Sequence, residues 1–245
     1  MSDEPAEMPK GFAQSGYEAP AGATQILLVR HGASQAYVPG KLFDLTEDGQ
    51  GDPPLAAEGE AQAELVGERL AREKIDAIYV TNLIRTAQTA APLVAATGIR
   101  PRIEPGLREA FLGEWEGGLF REKIVEPGNP YVAKFLETGR WDSIPGGESN
   151  EALEQRCLDS LWRMADAHPG GNVVSFVHGG VIRAIISHAA GVGPTNGQFG
   201  GAANCSIHHL VLWAGTIAVR SFNDTSHLSP AFSPYQAANL SRPLD

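Results

Sequence analysis

The chain has 245 residues, of which 42% are hydrophobic and 20% charged, and its 19 Lys plus Arg face 29 Asp plus Glu for a net charge of −10. This is ordinary globular composition, and size scaling lets about 70% of the unfolded surface be buried, enough for one core with trimmings. The acidic balance excludes the basic footprint of a general nucleic-acid or anionic-membrane binder, no apolar run approaches the ~18 residues of a membrane span, and two cysteines, Cys157 and Cys205, make neither a disulfide framework nor a thiolate metal site.

Residues 1–23 carry three prolines, three glycines and four acids to one lysine, without apolar period, and are expected to form a disordered or extended arm. The first residues lack an apolar signal region, so a cytoplasmic location is the expectation. Ile26-Leu27-Leu28-Val29 is a continuous apolar run before a glycine-containing turn, as in a buried parallel strand. A long Gly-, Pro- and Asp-rich loop over 35–54 follows, and its length suggests a functional wall. Residues 56–74 read as a helix with Ala61, Leu65 and Leu70 on its apolar face. A second strand spans 77–80, a helix 83–96 ends before Gly98 as its left-handed cap, and 102–103 is a weak strand. Residues 113–147 are punctuated by Gly and Pro, with one helical stretch near 131–136. A strong amphipathic helix over 151–167 places Leu153, Cys157, Leu161 and Met164 at three- and four-residue steps, capped by Ser149 or Asn150. Strand 173–177, helix 181–190 and a hairpin of 207–213 with 216–222 complete the order.

Strands thus alternate with helices, which implies an α/β fold: a three-layer α/β/α sandwich on a mostly parallel sheet, closed by a C-terminal antiparallel hairpin. The expected organisation is an arm at 1–23, one catalytic domain at 24–223 and an irregular tail at 224–245. Right-handed crossovers bring the ends of parallel strands to one edge, where ligands bind.

The residues after each strand end carry the chemistry. Arg30-His31-Gly32 follows the first strand and His178-Gly179-Gly180 the fourth, while Thr81 follows the second, with Arg85 one turn into the next helix. Singly, such a histidine reads as a turn residue and such an arginine as a surface cation. Together, two imidazoles and two guanidiniums on one edge make an anion site, with arginine forks suited to phosphate or carboxylate. His208 and His209 are adjacent on a strand and point to opposite faces, which argues against metal ligation there.

Leu28-Val29-Arg30-His31-Gly32 resembles the Arg-His-Gly signature of the histidine phosphatase superfamily, also called the phosphoglycerate mutase-like family. The run from Asp52 to Ala63, Arg85-Thr86-Ala87-Gln88-Thr89-Ala90, the segment Leu107 to Gly117 with Glu109, Pro145-Gly146-Gly147-Glu148-Ser149 and Val177-His178-Gly179-Gly180 resemble its further segments in family order. The similarity spans about residues 25 to 222. It implies a phosphoglycerate mutase-like fold and a phosphohistidine mechanism without metal or other cofactor: His31 as nucleophile, Arg30, Arg85 and His178 on the phosphoryl oxygens, and Glu109 as proton donor. Glu114 and Glu116 are the neighbouring carboxylates. Arg108 and Ser149 lie near enough in sequence to reach substrate, although structural roles fit them better. Where the family carries an Asn six residues after the nucleophile this chain has Tyr37, and Gln35 is the candidate replacement contact.

Only 69 positions separate Glu109 from His178, too few for the long basic insertion of the sugar-acid mutases, so hydrolysis of a small phosphomonoester is the expected reaction. The alternatives are a phosphoglycerate mutase-type isomerase and a non-catalytic phosphate-ligand binding protein. Apolar Phe43, Phe111, Leu119, Phe120 and Trp115 suggest an aromatic or apolar leaving group. The expected partner is thus a small-molecule substrate, with neither nucleic acid nor membrane. A homodimer is left open.

Overall fold

The computed structural model describes residues 16–193, 199 and 201–228. Most of the expected arm (1–15) and most of the expected tail (229–245) lie outside the described residues. The strands are β1 (Thr24–Arg30), β2 (Ala77–Val80), β3 (Arg102–Ile103), β4 (Asn172–Val177), β5 (Ile207–Trp213) and β6 (Thr216–Asp224). The helices are α1 (Ala57–Leu70), α2 (Ile84–Thr97), α3 (Leu119–Lys123), α4 (Pro130–Thr138), α5 (Asn150–Ala167) and α6 (Gly179–Ala189).

One sheet takes the order β3-β2-β4-β1-β5-β6. Its first four strands in that order are mutually parallel, β5 is antiparallel to β1, and β6 is antiparallel to β5. Alternate residues of each central strand serve the two faces. Ile26, Leu28, Tyr79 and Val173 pack with Leu153, Leu161 and Met164 of α5 and Ile182 and Ile185 of α6. Val29, Ile78, Val80, Val174 and Phe176 pack with Val66 and Leu70 of α1 and Ala90 and Leu93 of α2. Because both faces are covered, these strands read as near-continuous apolar runs, broken in β4 only by the buried Ser175. Fully burying a side chain the size of Leu28 or Phe176 contributes about 1.5–3 kcal/mol, and both are 0% exposed. The expected three-layer sandwich is therefore the observed one.

Local signals set the ends of elements. Gly98 takes φ 70° and donates its N–H to the Val94 carbonyl, closing α2. Ser149 Oγ accepts from the Ala152 N–H at 3.1 Å at the start of α5. Ala214 and Gly215 both have positive φ, 46° and 76°, as a two-residue hairpin turn matched to strand twist requires.

Three expectations are corrected. Helix α1 stops at Leu70, four residues short of position 74, because the chain turns there and Glu73 N–H donates to the Leu70 carbonyl. Its buried face is Gly59, Gln62, Ala63, Val66, Gly67 and Leu70, while Ala61 is exposed. That face is chosen by the loop after β1 as well as by hydrophobicity: Gln62 Oε1 accepts from the Ala33 N–H at 2.9 Å, and Gly59 lies against the Ala33 backbone. Second, the 113–147 stretch holds α3 and two short 3-10 turns besides α4. Third, β6 runs two residues past position 222, to Asp224, and beyond it Leu228 is 9% exposed and packs in the α1/α2-side core.

Strands β1 and β4 are neighbours, yet the chain leaves β1 for α1 on one face and β4 for α6 on the other. A crevice forms at such a switch point, at the carboxyl ends of the strands. The fit of α1 beneath that crevice is tight: a Cβ on Gly59 would lie 2.0 Å from the Ala33 carbonyl oxygen. Gly59→Ala gains about 1 kcal/mol of helix propensity, but the clash with backbone outweighs it and net stability falls by about 1–3 kcal/mol. Urea denaturation at unchanged m-value is the measurement, and an unchanged or raised midpoint would contradict the packing described.

Candidate active site

The parallel register sets the site. Arg30 at the end of β1 pairs with Val177 at the end of β4, and the His31 N–H donates to the Val177 carbonyl at 3.0 Å. His31 and His178 therefore stand side by side, their ring centroids 5.2 Å apart. His31 is 6% exposed and His178 0%. Helix α2 adds Arg85, itself 6% exposed, because β2 ends on the same edge. The structure thus brings together His31, Arg30, Arg85 and His178.

His31 Nδ1 lies 2.7 Å from the Gly32 carbonyl oxygen. A carbonyl only accepts, so Nδ1 carries the proton and Nε2 keeps its lone pair. Burial, then the charges of Arg85 and Arg30, hold the imidazole well below its ordinary pKa. His178 is likewise held well below its ordinary value, by burial first and then by Arg85 and His31. Its Nε2 is 3.0 Å from Thr81 Oγ1, while its Nδ1 is buried without a hydrogen-bond partner among the described residues. An unsatisfied buried nitrogen costs about 1–3 kcal/mol, a deficit that a bound acceptor would remove.

The arginines are fixed from outside the clamp. Arg85 Nη1 donates to the Gly51 carbonyl at 3.2 Å and lies 3.6 Å from Asp52 Oδ1. Asp52 Oδ1 also accepts from the Ile84 N–H at 2.8 Å at the start of α2. Burial lowers the pKa of Arg85, opposed by Glu109, Asp52 and Glu116, and a guanidinium remains charged throughout. Arg30 Nη1 donates to the Ala202 carbonyl. The loop before β5 continues the support: Cys205 N–H donates to the Arg30 carbonyl at 3.0 Å, and Asn204 Nδ2 to the His31 carbonyl at 2.9 Å.

Glu109 enters from the segment after β3. Its Oε1 accepts from the Ala110 N–H at 2.9 Å and its Oε2 from the Gly180 N–H at 3.2 Å. A Cβ on Gly180 would sit 2.5 Å from Glu109 Oε1, so the second glycine after His178 is what admits this carboxylate. Arg156 of α5 donates to the carbonyls of Gly106, Arg108 and Glu109 and pairs with Glu148, while Gln50 Nε2 donates to the Glu109 carbonyl at 2.8 Å. The other carboxylates have different employment. Glu116 accepts from Leu112 and Gly51 N–H groups, joining the 35–54 loop to this segment, with its pKa raised by burial. Glu114 is exposed. Arg108 pairs with Asp48, and Ser149 caps α5.

Gln35 stands at the rim with its side chain exposed and its carbonyl accepting from Arg121 Nη1 at 2.6 Å. Tyr37 packs edge-on against Phe43, ring centroids 6.0 Å apart. Sequence reasoning assigned no site role to Arg156, Gln50 or Arg121, whose contacts are made across the fold. Arg121 acts electrostatically on both His31 and Arg85. Among the described residues no three His, Cys, Asp or Glu side chains are grouped to hold a metal ion, and no helix is long and apolar enough to cross a membrane.

The chain is 33% identical over 211 residues to phosphoglycerate mutase-like protein 4 of Arabidopsis thaliana, covering 83% of this chain and 86% of the relative. It is 32% identical over 212 residues to a metal-independent phosphoserine phosphatase of the same plant, covering 84% of each. A crystal structure of a mutant phosphoserine phosphatase from Entamoeba histolytica, in complex with phosphoserine, superimposes with a TM-score of 0.69 at 26% identity, over 84% of this chain and 100% of that one. The family model of the histidine phosphatase superfamily (branch 1) matches residues 26–225, and the chain belongs to that superfamily.

Proposed function

We propose that this chain hydrolyses small phosphomonoesters, without metal, through a phosphohistidine formed on His31. The observation that carries the reading is a buried, neutral imidazole, held by Nδ1 to the Gly32 carbonyl and acted on by the charges of Arg85 and Arg30. A phosphomonoester dianion must be shielded before a nucleophile can approach phosphorus, so positioning and charge neutralisation are the main needs. Arg30 and Arg85 meet them, and His178 supplies a further donor through the nitrogen that has no protein partner. The Nε2 lone pair forms the N–P bond as the ester P–O bond breaks, and Glu109 gives its proton to the departing oxygen. Glu109 then takes a proton from water as the water oxygen bonds to phosphorus and the N–P bond breaks. Phosphate leaves and His31 is restored.

Support for hydrolysis comes from relatives named as phosphatases, while others are named phosphoglycerate mutase-like or probable phosphoglycerate mutase. A mutase assay primed with 2,3-bisphosphoglycerate is the direct contrast, and phosphate release should exceed isomer formation.

With an aryl phosphate and a chelator present, the wild type should release phosphate and His31→Ala should not. Glu109→Ala should slow kcat by about 10²- to 10⁴-fold for poor leaving groups and far less for activated ones. Equal turnover by wild type and His31→Ala would overturn the proposal. The neutral imidazoles also tie stability to pH. Unfolded histidines take up protons below about pH 6.5, whereas folded His31 and His178 do not. The unfolded state therefore binds more protons, and stability should fall from pH 7.5 to 5.5 by up to about 1.4 kcal/mol per pH unit for each. Denaturant titrations of His31→Asn should show a shallower slope, and a slope equal to that of the wild type would contradict the buried neutral state.

A further inference from the structure

The β5–β6 hairpin breaks register at its open end, beside the end of β1. Ile207 pairs with Asp224 and His209 with Ser221, so one extra residue is left on β6 between them, and Asn223 takes φ 57°. Asparagine tolerates this left-handed backbone better than most residues. The bulge is pinned by His208, which is 0% exposed. The Asn223 N–H donates to His208 Nδ1 at 3.1 Å, so Nδ1 carries no proton. Burial, and then the charge of Arg30, pushes the pKa of this imidazole down to about 3. It is therefore neutral, and its Nε2–H donates to Ser206 Oγ, 2.9 Å away. The Ser206 carbonyl in turn accepts the Arg30 N–H at 3.2 Å. Held in this way, Asn223 turns its Oδ1 to the Ala203 N–H, which donates at 2.7 Å. That N–H and the Ala202 carbonyl belong to one peptide unit, and the carbonyl is the acceptor for Arg30 Nη1. In a planar trans peptide the two groups point in opposite directions. Asn223 and Arg30 thus hold one unit from its two sides, and hydrogen bonds in such a chain polarise one another. On another side the guanidinium lies by the turn after His178: a Cβ on Gly179 would stand 3.5 Å from Arg30 Nε.

We propose that Asn223 is a positioning residue that aims Arg30 at the phosphoryl group by fixing the Ala202–Ala203 peptide. The role rests on the hydrolase reading above and extends its machinery to the edge strand of the sheet. Asn223 acts through Arg30 and does not touch substrate. A guanidinium binds phosphoryl oxygens through a planar fork, so a small rotation of its plane costs more than the same motion of a point charge. A peptide carbonyl anchored on its far side keeps that plane in place before substrate arrives.

Asn223→Gly tests this cleanly, since glycine accepts the left-handed φ and keeps the N–H for His208 while losing the acceptor. In the wild-type background it should lower kcat/KM for an aryl phosphate about tenfold, the scale of one hydrogen bond to a charged network. In an Arg30→Ala background the same change should cost less than about twofold, and in an Arg85→Ala background again about tenfold. A merely structural role would lower all three alike. Equal losses in the three backgrounds, or no loss in the wild type, would overturn the inference. Calorimetric titration with inorganic phosphate reads the clamp without turnover, and Asn223→Gly should weaken binding by about the same factor. Weakened phosphate binding in Asn223→Gly beside a wild type that hydrolyses no ester would sustain the positioning role and sink the hydrolase reading. Hydrolysis by the wild type, with kcat/KM and phosphate affinity unchanged in Asn223→Gly, would do the reverse.

Discussion

Two imidazoles must stay uncharged beside two guanidiniums, and the architecture around β1 and β4 follows from that requirement. Protonated histidines next to Arg30 and Arg85 would repel them and would lack the lone pair that the proposed attack on phosphorus requires. Burial to 6% and 0% exposure disfavours the charged form, and the neighbouring cations push in the same direction. The Nδ1 bond to Gly32 then decides which nitrogen is left for chemistry. The positive charge that remains belongs to the arginines, so a strongly acidic chain presents a local anion site.

The same demand explains where side chains are missing. Gly59 lets α1 press against the turn that carries His31, and Gly180 lets the Glu109 carboxylate reach the amino end of α6. Around these contacts the protein spends polar groups on holding backbone: Gln62 on Ala33, Asn204 on His31, and Arg156 and Gln50 on Glu109. A reacting group held by its own main chain and by neighbouring elements keeps its aim without reorganising when substrate arrives. The 35–54 loop belongs to this frame, because Gly51 and Asp52 orient Arg85 while Gln50 orients Glu109.

Much of this was readable before the structure. Continuous apolar runs marked the central strands, and the residues following them placed His31, His178, Arg30 and Arg85 on one edge through topology alone. Glu109 was found through its segment's resemblance to the family. What escaped depended on contacts between distant segments. On α1, Leu65 and Leu70 were read correctly as core-facing but Ala61 was not, because Gly59 and Gln62 take that part of the helix against the β1 turn. Helix α3 was missed because five residues carry too little periodicity, and its place depends on Gly118 meeting Tyr37 and Phe43. Arg121 and Gln35 are 86 positions apart, a pairing that neither composition nor local spacing reveals. Gln35 was considered as a phosphate contact, and what the structure shows of it is a main-chain carbonyl that steadies Arg121.

The central claim is covalent and calls for a covalent measurement. Rapid-quench mixing of the enzyme with an aryl phosphate, followed by intact-protein mass spectrometry and peptide mapping, should find a transient gain of about 80 Da on His31 that forms and decays within one turnover. Turnover at full rate with no such adduct, or an adduct on another residue, would contradict the account.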